Sequence, residues 1–321
     1  MARLAFFGTP DFSIPALERT FAYCQQFSHE LCLVVCQPDQ PQGRGQHMAA
    51  PPIKKWALQH DLPIAQPTTL KKNTKDGDDF YQLFKSLNVD LAIVIAYGRI
   101  ISARLLGAAH SGFINVHASL LPRFRGAAPI QRAIEAGDKE TGVCLMDMVL
   151  GLDEGDTFAC AKTPIMSGDT SATLFHRLSH LGGSLLFNHL DDLLHRRLPK
   201  RPQSDNGIIY AHMLTKEEGL LNFSLSGLTL KNQIQAFDPW PGAYGFVRKK
   251  RIKFFDSFFI ANNHIKKDVK PGTVVAVKPF LAIKTMDGIL YFQSIQIEGK
   301  KILPTKDALL GFPIEVGDVI A

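Results

Sequence analysis

At 321 residues the chain has room for about two domains, which run on the order of 100–200 residues each. Its 45% apolar and 21% charged residues exclude a disordered or fibrous chain. No stretch reaches the ~18 apolar residues of a membrane span, and nothing resembles a signal peptide, because the apolar run at 4–7 is cut short by Gly8-Thr9-Pro10. The formal net charge of +6 is uneven: residues 201–321 carry 16 Lys and Arg against 11 Asp and Glu, whereas residues 1–200 carry 20 against 19. A basic C-terminal part suits a polyanion such as nucleic acid, or serves solubility alone. The five cysteines (Cys24, Cys32, Cys36, Cys144 and Cys160) are odd in number and contain no Cys-x-x-Cys pair. They predict reduced thiols in a cytoplasmic protein.

In chain order, residues 4–7 read as a buried parallel strand. Ser13 is placed to cap the helix that follows, with Pro15 in its first turn. Residues 31–36 form a second buried strand. The first turn is not Gly-x-Gly-x-x-Gly and no Gly-x-x-x-x-Gly-Lys occurs, so neither a dinucleotide nor a nucleotide-phosphate loop is expected. Residues 37–48, with two Pro and two Gly, predict a long exposed loop at a strand's carboxyl end. Arg44, between Gly43 and Gly45, is there either presented on backbone that can approach a partner closely or simply solvated.

A helix over 53–60 is followed by a charged, irregular stretch at 71–79. A helix over 80–87 and a buried strand over 91–96 come next. The strand at 113–117 ends before Pro122, which cannot donate a ladder hydrogen bond, and a helix covers 127–136. A strand over 143–149, the loop at 151–156 and a helix over 171–195 complete the alternation. The pattern predicts an α/β domain with a doubly wound, Rossmann-like parallel sheet. His176 and His180 share a face of the last helix, but with no Glu between them and no third ligand nearby no metal site is expected. Residues 199–207 are polar with two prolines and read as a linker. Beyond it, short strands at 244–247, 252–259, 272–277, 281–284 and 288–296 predict a small barrel or sandwich. The run Arg248-Lys249-Lys250-Arg251 lies on one of its hairpins, as a nucleic-acid contact or a solvated tip.

The strand at 113–117 carries the chemistry. Side chains alternate along a strand, so Asn115 and His117 share one face, at the carboxyl edge where open α/β sheets bind ligands. Asp153, in the loop after the next strand, comes to the same edge. No glycine elbow presents Ser119 as a nucleophile, and Cys144 lies inside a buried strand. The remaining groups suit direct acyl transfer from one bound substrate to an amine on another. Asn115 would donate to the tetrahedral oxyanion, an effect worth on the order of 3 kcal/mol, while His117 and Asp153 manage the amine's proton. Local spacing alone leaves open that Asn115 and His117 merely satisfy each other at a strand end.

The motif Asn-Val-His-Ala-Ser-Leu-Leu-Pro-Arg-Phe-Arg-Gly-Ala-Ala-Pro-Ile-Gln at 115–131, with Gly-Leu-Asp-Glu-Gly-Asp at 151–156, resembles the methionyl-tRNA formyltransferases. So do the motifs at 7–12, 37–45, 96–98, 216–218, 237–241 and 271–273, so the likeness runs nearly end to end. The resemblance implies formyl transfer from 10-formyltetrahydrofolate to the amino group of methionyl-initiator tRNA, with Asn115, His117 and Asp153 at the catalytic centre. It implies folate contacts along Ser119, Leu120, Leu121 and Pro122, with the pterin near Ile95, Ala96 and Tyr97. It implies tRNA contacts at Gly43 and Arg44 and at Arg248, Lys249, Lys250 and Arg251. The implied organisation is a catalytic domain over 1–198, a linker over 199–212 and an OB-fold-like β-barrel over 213–321; nothing in the sequence calls for more than a monomer, and no metal is expected. Ala118, Phe124 and Phe223 depart from the Gly, Trp and Trp common in that family, and Gln46 and His47 stand where Lys is frequent. A sugar-nucleotide N-formyltransferase shares the Asn, His and Asp centre and is the competing reading, followed by a formyl-folate hydrolase and a catalytically silent RNA-binding protein.

Overall fold

The computed structural model of the chain describes residues 1–42, 47–261 and 269–321. It forms two compact units, the first from residues 1–126, 140–163 and 175–210, the second from 127–139, 164–174 and 211–321. In order, the elements of the N-terminal stretch are β1 (Arg3–Gly8), α1 (Ile14–Gln26), β2 (Glu30–Val35), β3 (Gln40–Gln42), β4 (His47–Ala49), α2 (Pro52–Gln59) and β5 (Ile64–Ala65). Then come α3 (Lys75–Ser86), β6 (Leu91–Ile95), α4 (Ala103–Leu106), β7 (Phe113–His117), β8 (Arg125–Gly126), α5 (Pro129–Glu135), β9 (Glu140–Asp147), β10 (Thr157–Pro164), α6 (Ser171–Leu194) and β11 (Tyr210–Ala211).

The first unit is built on a seven-stranded sheet in the order β10-β9-β7-β6-β1-β2-β5. β1 pairs in parallel with both β2 and β6, so Phe7 lies between Val35 and Val94. Covered on both faces, these strands read as unbroken apolar runs: Leu4, Ala5, Phe6 and Phe7 have no exposed surface. Phe7 gathers Phe80, Phe84, Tyr97 and Phe113 at ring-centroid separations of 5.5–6.2 Å. Each such pair adds about 0.5–1.5 kcal/mol beyond area burial, and together they lock α3, β7 and the end of β6 to β1. That cluster sets the height at which the strands end.

The parallel sheet stands as expected for β1, β2, β6 and β7 and is extended by β5, a two-residue strand parallel to β2 that the sequence did not mark, but β9 runs antiparallel to β7, placing His117 opposite Cys144. A fully buried strand is apolar on both faces whichever way it runs, so its residues do not encode direction. Three local expectations are also corrected. Ser13 makes no side-chain cap; its hydroxyl donates to Ile95 O at 2.7 Å and so ties α1 to the end of β6. Residues 40–42 and 47–49 pair as a short hairpin within the expected loop. The irregular stretch at 71–79 already contains the start of α3, whose cap Thr74 accepts from Gly77 N.

The second unit holds α7 (Gly227–Ala236), β12 (Tyr244–Val247), β13 (Lys250–Ala261), β14 (Val274–Ala276), β15 (Leu281–Lys284), β16 (Gly288–Ile297), β17 (Ile302–Pro304) and α8 (Thr305–Gly311). Its antiparallel sheet has the order β12-β13-β16-β15-β14, with β17 also paired to β16, and curls into a half-barrel. Its core includes Phe254, Phe292, Ile283, Leu290, Leu230 and Ile234, with Phe254 and Phe292 4.5 Å apart. The helix α7 is not legible in the sequence, because its Gly, Thr and Asn are weak helix formers. Burial of Leu230 and Ile234, one turn apart, forms it in spite of that.

Candidate active site at the carboxyl edge of β7

The strand β7 ends at His117, which is only 5% exposed. Its ring is held on both sides. Nε2 lies 2.9 Å from Phe124 O; a carbonyl can only accept, so Nε2 carries a proton. Nδ1 lies 3.5 Å from Asp153 Oδ2. With Nε2–H committed to the carbonyl, Nδ1 is the ring atom left to face the carboxylate.

Asp153 is positioned by its loop. Its φ of +52° is in the left-handed region that non-glycine residues seldom enter. Its Oδ2 accepts from Gly126 N at 2.8 Å. Two residues on, a Cβ at Gly155 would collide with Asp147 O, so only glycine lets the loop close against the end of β9. The three residues Phe124, Arg125 and Gly126 therefore serve both partners: Phe124 O fixes the imidazole and Gly126 N fixes the carboxylate. Asn115, two residues before His117 on the same face of β7, is half-buried. A carboxamide thus shares a face of β7 with an imidazole that itself faces a carboxylate, groups of the kind that can steady an oxyanion and move a proton.

The other site residues fall around this edge with unequal exposure. β6 stops at Ile95, and Ala96, at φ +46° and exposed, turns the backbone outward. Tyr97 turns inward: it is 2% exposed and packs edge-on against Phe7, and burial pushes its phenol well above the ordinary value. Only its carbonyl reaches the edge, where it accepts from Thr9 Oγ1 and Gln37 Nε2. Ser119 is fully buried and donates to Arg123 O at 2.6 Å, so its hydroxyl closes the turn. Leu120, Leu121 and Pro122 are half-buried beside it.

Gly43 and Arg44 lie outside the described residues. The segment before β3 is anchored: Lys54 reaches Asp39 at 2.8 Å and Gln66 Nε2 reaches it at 2.8 Å. These two bonds, Gln66 first, hold the Asp39 carboxyl below the usual carboxylate range. The basic run at 248–251 forms the tip of the β12–β13 hairpin. Arg248 is held by Asp318, by Pro313 O and by the Phe312 ring, 5.1 Å away, and Arg251 lies over Tyr244. Lys249 and Lys250 are exposed.

The expectation of five reduced thiols fails for Cys144 and Cys160, which are joined by a disulfide across β9 and β10. Sixteen positions apart in sequence, they carry no spacing signal, and only the sheet brings them together. Cys24, Cys32 and Cys36 are free and buried, and burial pushes them up to about 12, 11 and 11, the state of inert thiols. Among the described residues no group of three His, Cys, Asp or Glu is placed to hold a metal ion, and no helix is long and apolar enough to cross a membrane.

Sequence reading passed over Arg125 and Gln203. Arg125 is only 7% exposed, and a buried guanidinium must be paired. Its Nε and Nη2 donate to Gln203 Oε1 at 3.1 and 2.9 Å. An Arg inside an otherwise apolar Phe-Arg-Gly turn was the available signal for the first; nothing local marked the second.

A mixed sheet carrying a half-buried amide, a buried imidazole and a half-buried carboxylate, followed by an antiparallel half-barrel, is an architecture suited to acyl transfer. The chain belongs to the formyl transferase family: the family profile "Formyl transferase" matches residues 2–190, and "Formyl transferase, C-terminal domain" matches residues 213–313. Similar relatives are each named methionyl-tRNA formyltransferase. That of Sulfurihydrogenibium sp. (strain YO3AOP1) is 36% identical over 98% of this chain and 99% of its own length. That of Hydrogenovibrio crunogenus is 40% identical over 95% and 94%. The fold is shared with an N-formyltransferase from Helicobacter canadensis, solved with folinic acid and dTDP-3-aminofucose (TM-score 0.66, 17% identity, 91% of this chain and 99% of that one). It is shared also with HypX from Aquifex aeolicus, solved with tetrahydrofolic acid (TM-score 0.61, 18% identity), whose chain is about twice as long, 50% of it being covered.

Proposed function

We propose that this chain transfers the formyl group of 10-formyltetrahydrofolate to the free α-amino group of methionyl-initiator tRNA, giving N-formylmethionyl-tRNA for translation initiation. The observation that carries the reading is identity of 36% and 40% to methionyl-tRNA formyltransferases over nearly the whole chain, both family domains included. The Asn, His and Asp centre supports formyl transfer as such, and the C-terminal domain supports a tRNA as acceptor.

In this reading the amine attacks the formyl carbon directly through a tetrahedral intermediate. The new bond to the amine nitrogen forms and the bond to the folate nitrogen breaks; the proton lost by the amine is matched by one gained by the departing folate. Asn115 donates its amide to the oxygen on which charge develops, an effect worth on the order of 3 kcal/mol. His117 steadies the same charge as the imidazolium, with Nε2–H tied to Phe124 O and Nδ1–H facing Asp153. Asp153 takes the proton from the amine, whose ordinary pKa of about 7.7–8.0 leaves much of it uncharged near neutral pH. The folate lies along Ile95, Ala96 and Tyr97, met mainly through backbone, and along Ser119, Leu120, Leu121 and Pro122. The tRNA is met by Gly43 and Arg44 at the acceptor end and by Arg248, Lys249, Lys250 and Arg251, with Lys249 and Lys250 the most open to its phosphates. Residues 1–198 form the catalytic domain, 199–212 the connection and 213–321 the tRNA-binding barrel, and the enzyme works as a cytoplasmic monomer.

The test is to incubate the enzyme and labelled 10-formyltetrahydrofolate with aminoacylated initiator tRNA, with a nucleotide-linked amino sugar, or with buffer. Label is expected on the tRNA alone. Label on the sugar would assign the chain to the sugar N-formyltransferases, and free labelled formate in buffer would make it a hydrolase.

A further inference from the structure

We propose that Gln203 is a positioning residue for the Asp153 loop, and that residues 199–209 act as a strap that holds the catalytic carboxylate in place. The proposal rests on the reading of Asp153 as catalytic. A side-chain amide has two donor hydrogens and two acceptor lone pairs, and Gln203 uses all four. Its Nε2 donates to Asp153 O at 2.8 Å and to Gly155 O at 2.7 Å. Its Oε1 accepts from Nε and Nη2 of the buried Arg125 at 3.1 and 2.9 Å.

The partners are what give this amide a catalytic bearing. Asp153 O and Gly155 O lie on either side of Glu154, so Gln203 clamps the backbone that carries the carboxylate. Asp153 sits at φ +52°, a conformation that persists only where surroundings over-determine it. Arg125 lies between Phe124, whose carbonyl holds His117 Nε2, and Gly126, whose amide holds Asp153 Oδ2. One side chain therefore joins the segment that orients both catalytic groups to the loop that bears one of them.

The strap itself is stitched down on either side of Gln203. Thr157 and Arg201 exchange two backbone hydrogen bonds, each 2.9 Å, and Arg125 N donates to Ile209 O at 2.9 Å. A stretch whose polar, proline-bearing sequence reads as a passive linker is thus bonded to both halves of the catalytic edge.

The experiment measures kcat and both KM values for Gln203→Ala, Gln203→Glu and Asp153→Asn in the full chain, together with amide hydrogen exchange at Gly126. Gln203→Ala is expected to lower kcat about 10–100-fold, the scale of a misplaced catalytic group, with both KM values within about twofold. Gln203→Glu is the discriminating variant. It still accepts from Arg125, and does so as a charged partner, but sets a carboxylate oxygen against the Asp153 and Gly155 carbonyls. It is expected to lose at least as much kcat as Gln203→Ala, and both are expected to speed exchange at the Gly126 amide. Wild-type kcat in Gln203→Glu would show that Gln203 serves only to pair Arg125 and would overturn the proposal. Unchanged Gly126 exchange in folded Gln203→Ala would overturn it as well, independently of activity. Full activity in Asp153→Asn would instead remove the catalytic reading on which the proposal rests, whereas a silent Asp153→Asn beside fully active Gln203 variants would sink the positioning role alone.

Discussion

The carboxyl edge of β7 and the tip of the β12–β13 hairpin both gather polar side chains, on opposite terms. At the first, His117 is 5% exposed and each ring nitrogen faces a named oxygen at 2.9 or 3.5 Å. At the second, Lys249 and Lys250 stand in solvent. Low dielectric and fixed partners make the first site a place where a misplaced atom is costly. Water and salt make the second a place where charges add up loosely and each alone matters little. Under the proposed function the difference teaches that geometry is built where chemistry is done, and that net charge suffices where a polyanion is gathered.

The sharpest way to break this contrast is at the His117 and Asp153 pair. His117→Ala and Asp153→Ala are each expected to lower kcat by on the order of 10²–10⁴, with KM for the folate donor changed only severalfold. Steady-state kinetics with labelled donor reads both, and a loss below about tenfold would show that burial confers no special leverage. Asn115→Ala comes next, expected to cost about 10²–10³ in kcat; the same assay would expose an unaffected enzyme and remove the oxyanion role.

The exposed tip gives smaller effects of another kind. The double variant Lys249→Ala with Lys250→Ala is expected to leave kcat alone and raise KM for tRNA severalfold at low salt. Its log–log salt slope should be shallower by about 1.5–2. A titration of KM against ionic strength checks this, and parallel slopes would take the tip out of the tRNA path.

The smallest effect concerns stability. In the second unit Arg132 meets Glu218 at 2.7 Å, and this bond, with help from Thr215 N, holds the Glu218 carboxyl below the usual range. A carboxyl depressed in the folded state stabilises above its unfolded pKa of about 4.3 and loses that stabilisation as pH falls through the lower folded value. Glu218→Gln is therefore expected to lose ~1 kcal/mol at pH 7, the upper end for a part-exposed pair. The gap to wild type should narrow as pH falls below about 4; Tm measured across pH shows it, and a gap that is constant with pH would assign the loss to packing.

Much of this was legible in the chain. The apolar runs of β1, β2 and β6 marked buried strands, and the alternation over Phe113–His117 placed Asn115 and His117 on one face. Short strands after the polar stretch at 199–207 marked an antiparallel second part. Gly227–Ala236 escaped because weak helix formers are made helical there by the burial of Leu230 and Ile234. Gly43 and Arg44 lie beyond what the structure describes, so their part rests on sequence alone.

By itself the sequence determined which chemical groups the chain holds and where β7, which carries Asn115 and His117, begins and ends, because those choices depend on neighbours a few residues away. Tertiary structure decided the rest: the antiparallel direction of β9, the disulfide between Cys144 and Cys160, the 3.5 Å between His117 and Asp153, and the clamp on Arg125 by Gln203 from 78 positions down the chain. Such contacts depend on how distant segments pack, and a buried strand or a polar loop reads the same whichever partner it will meet.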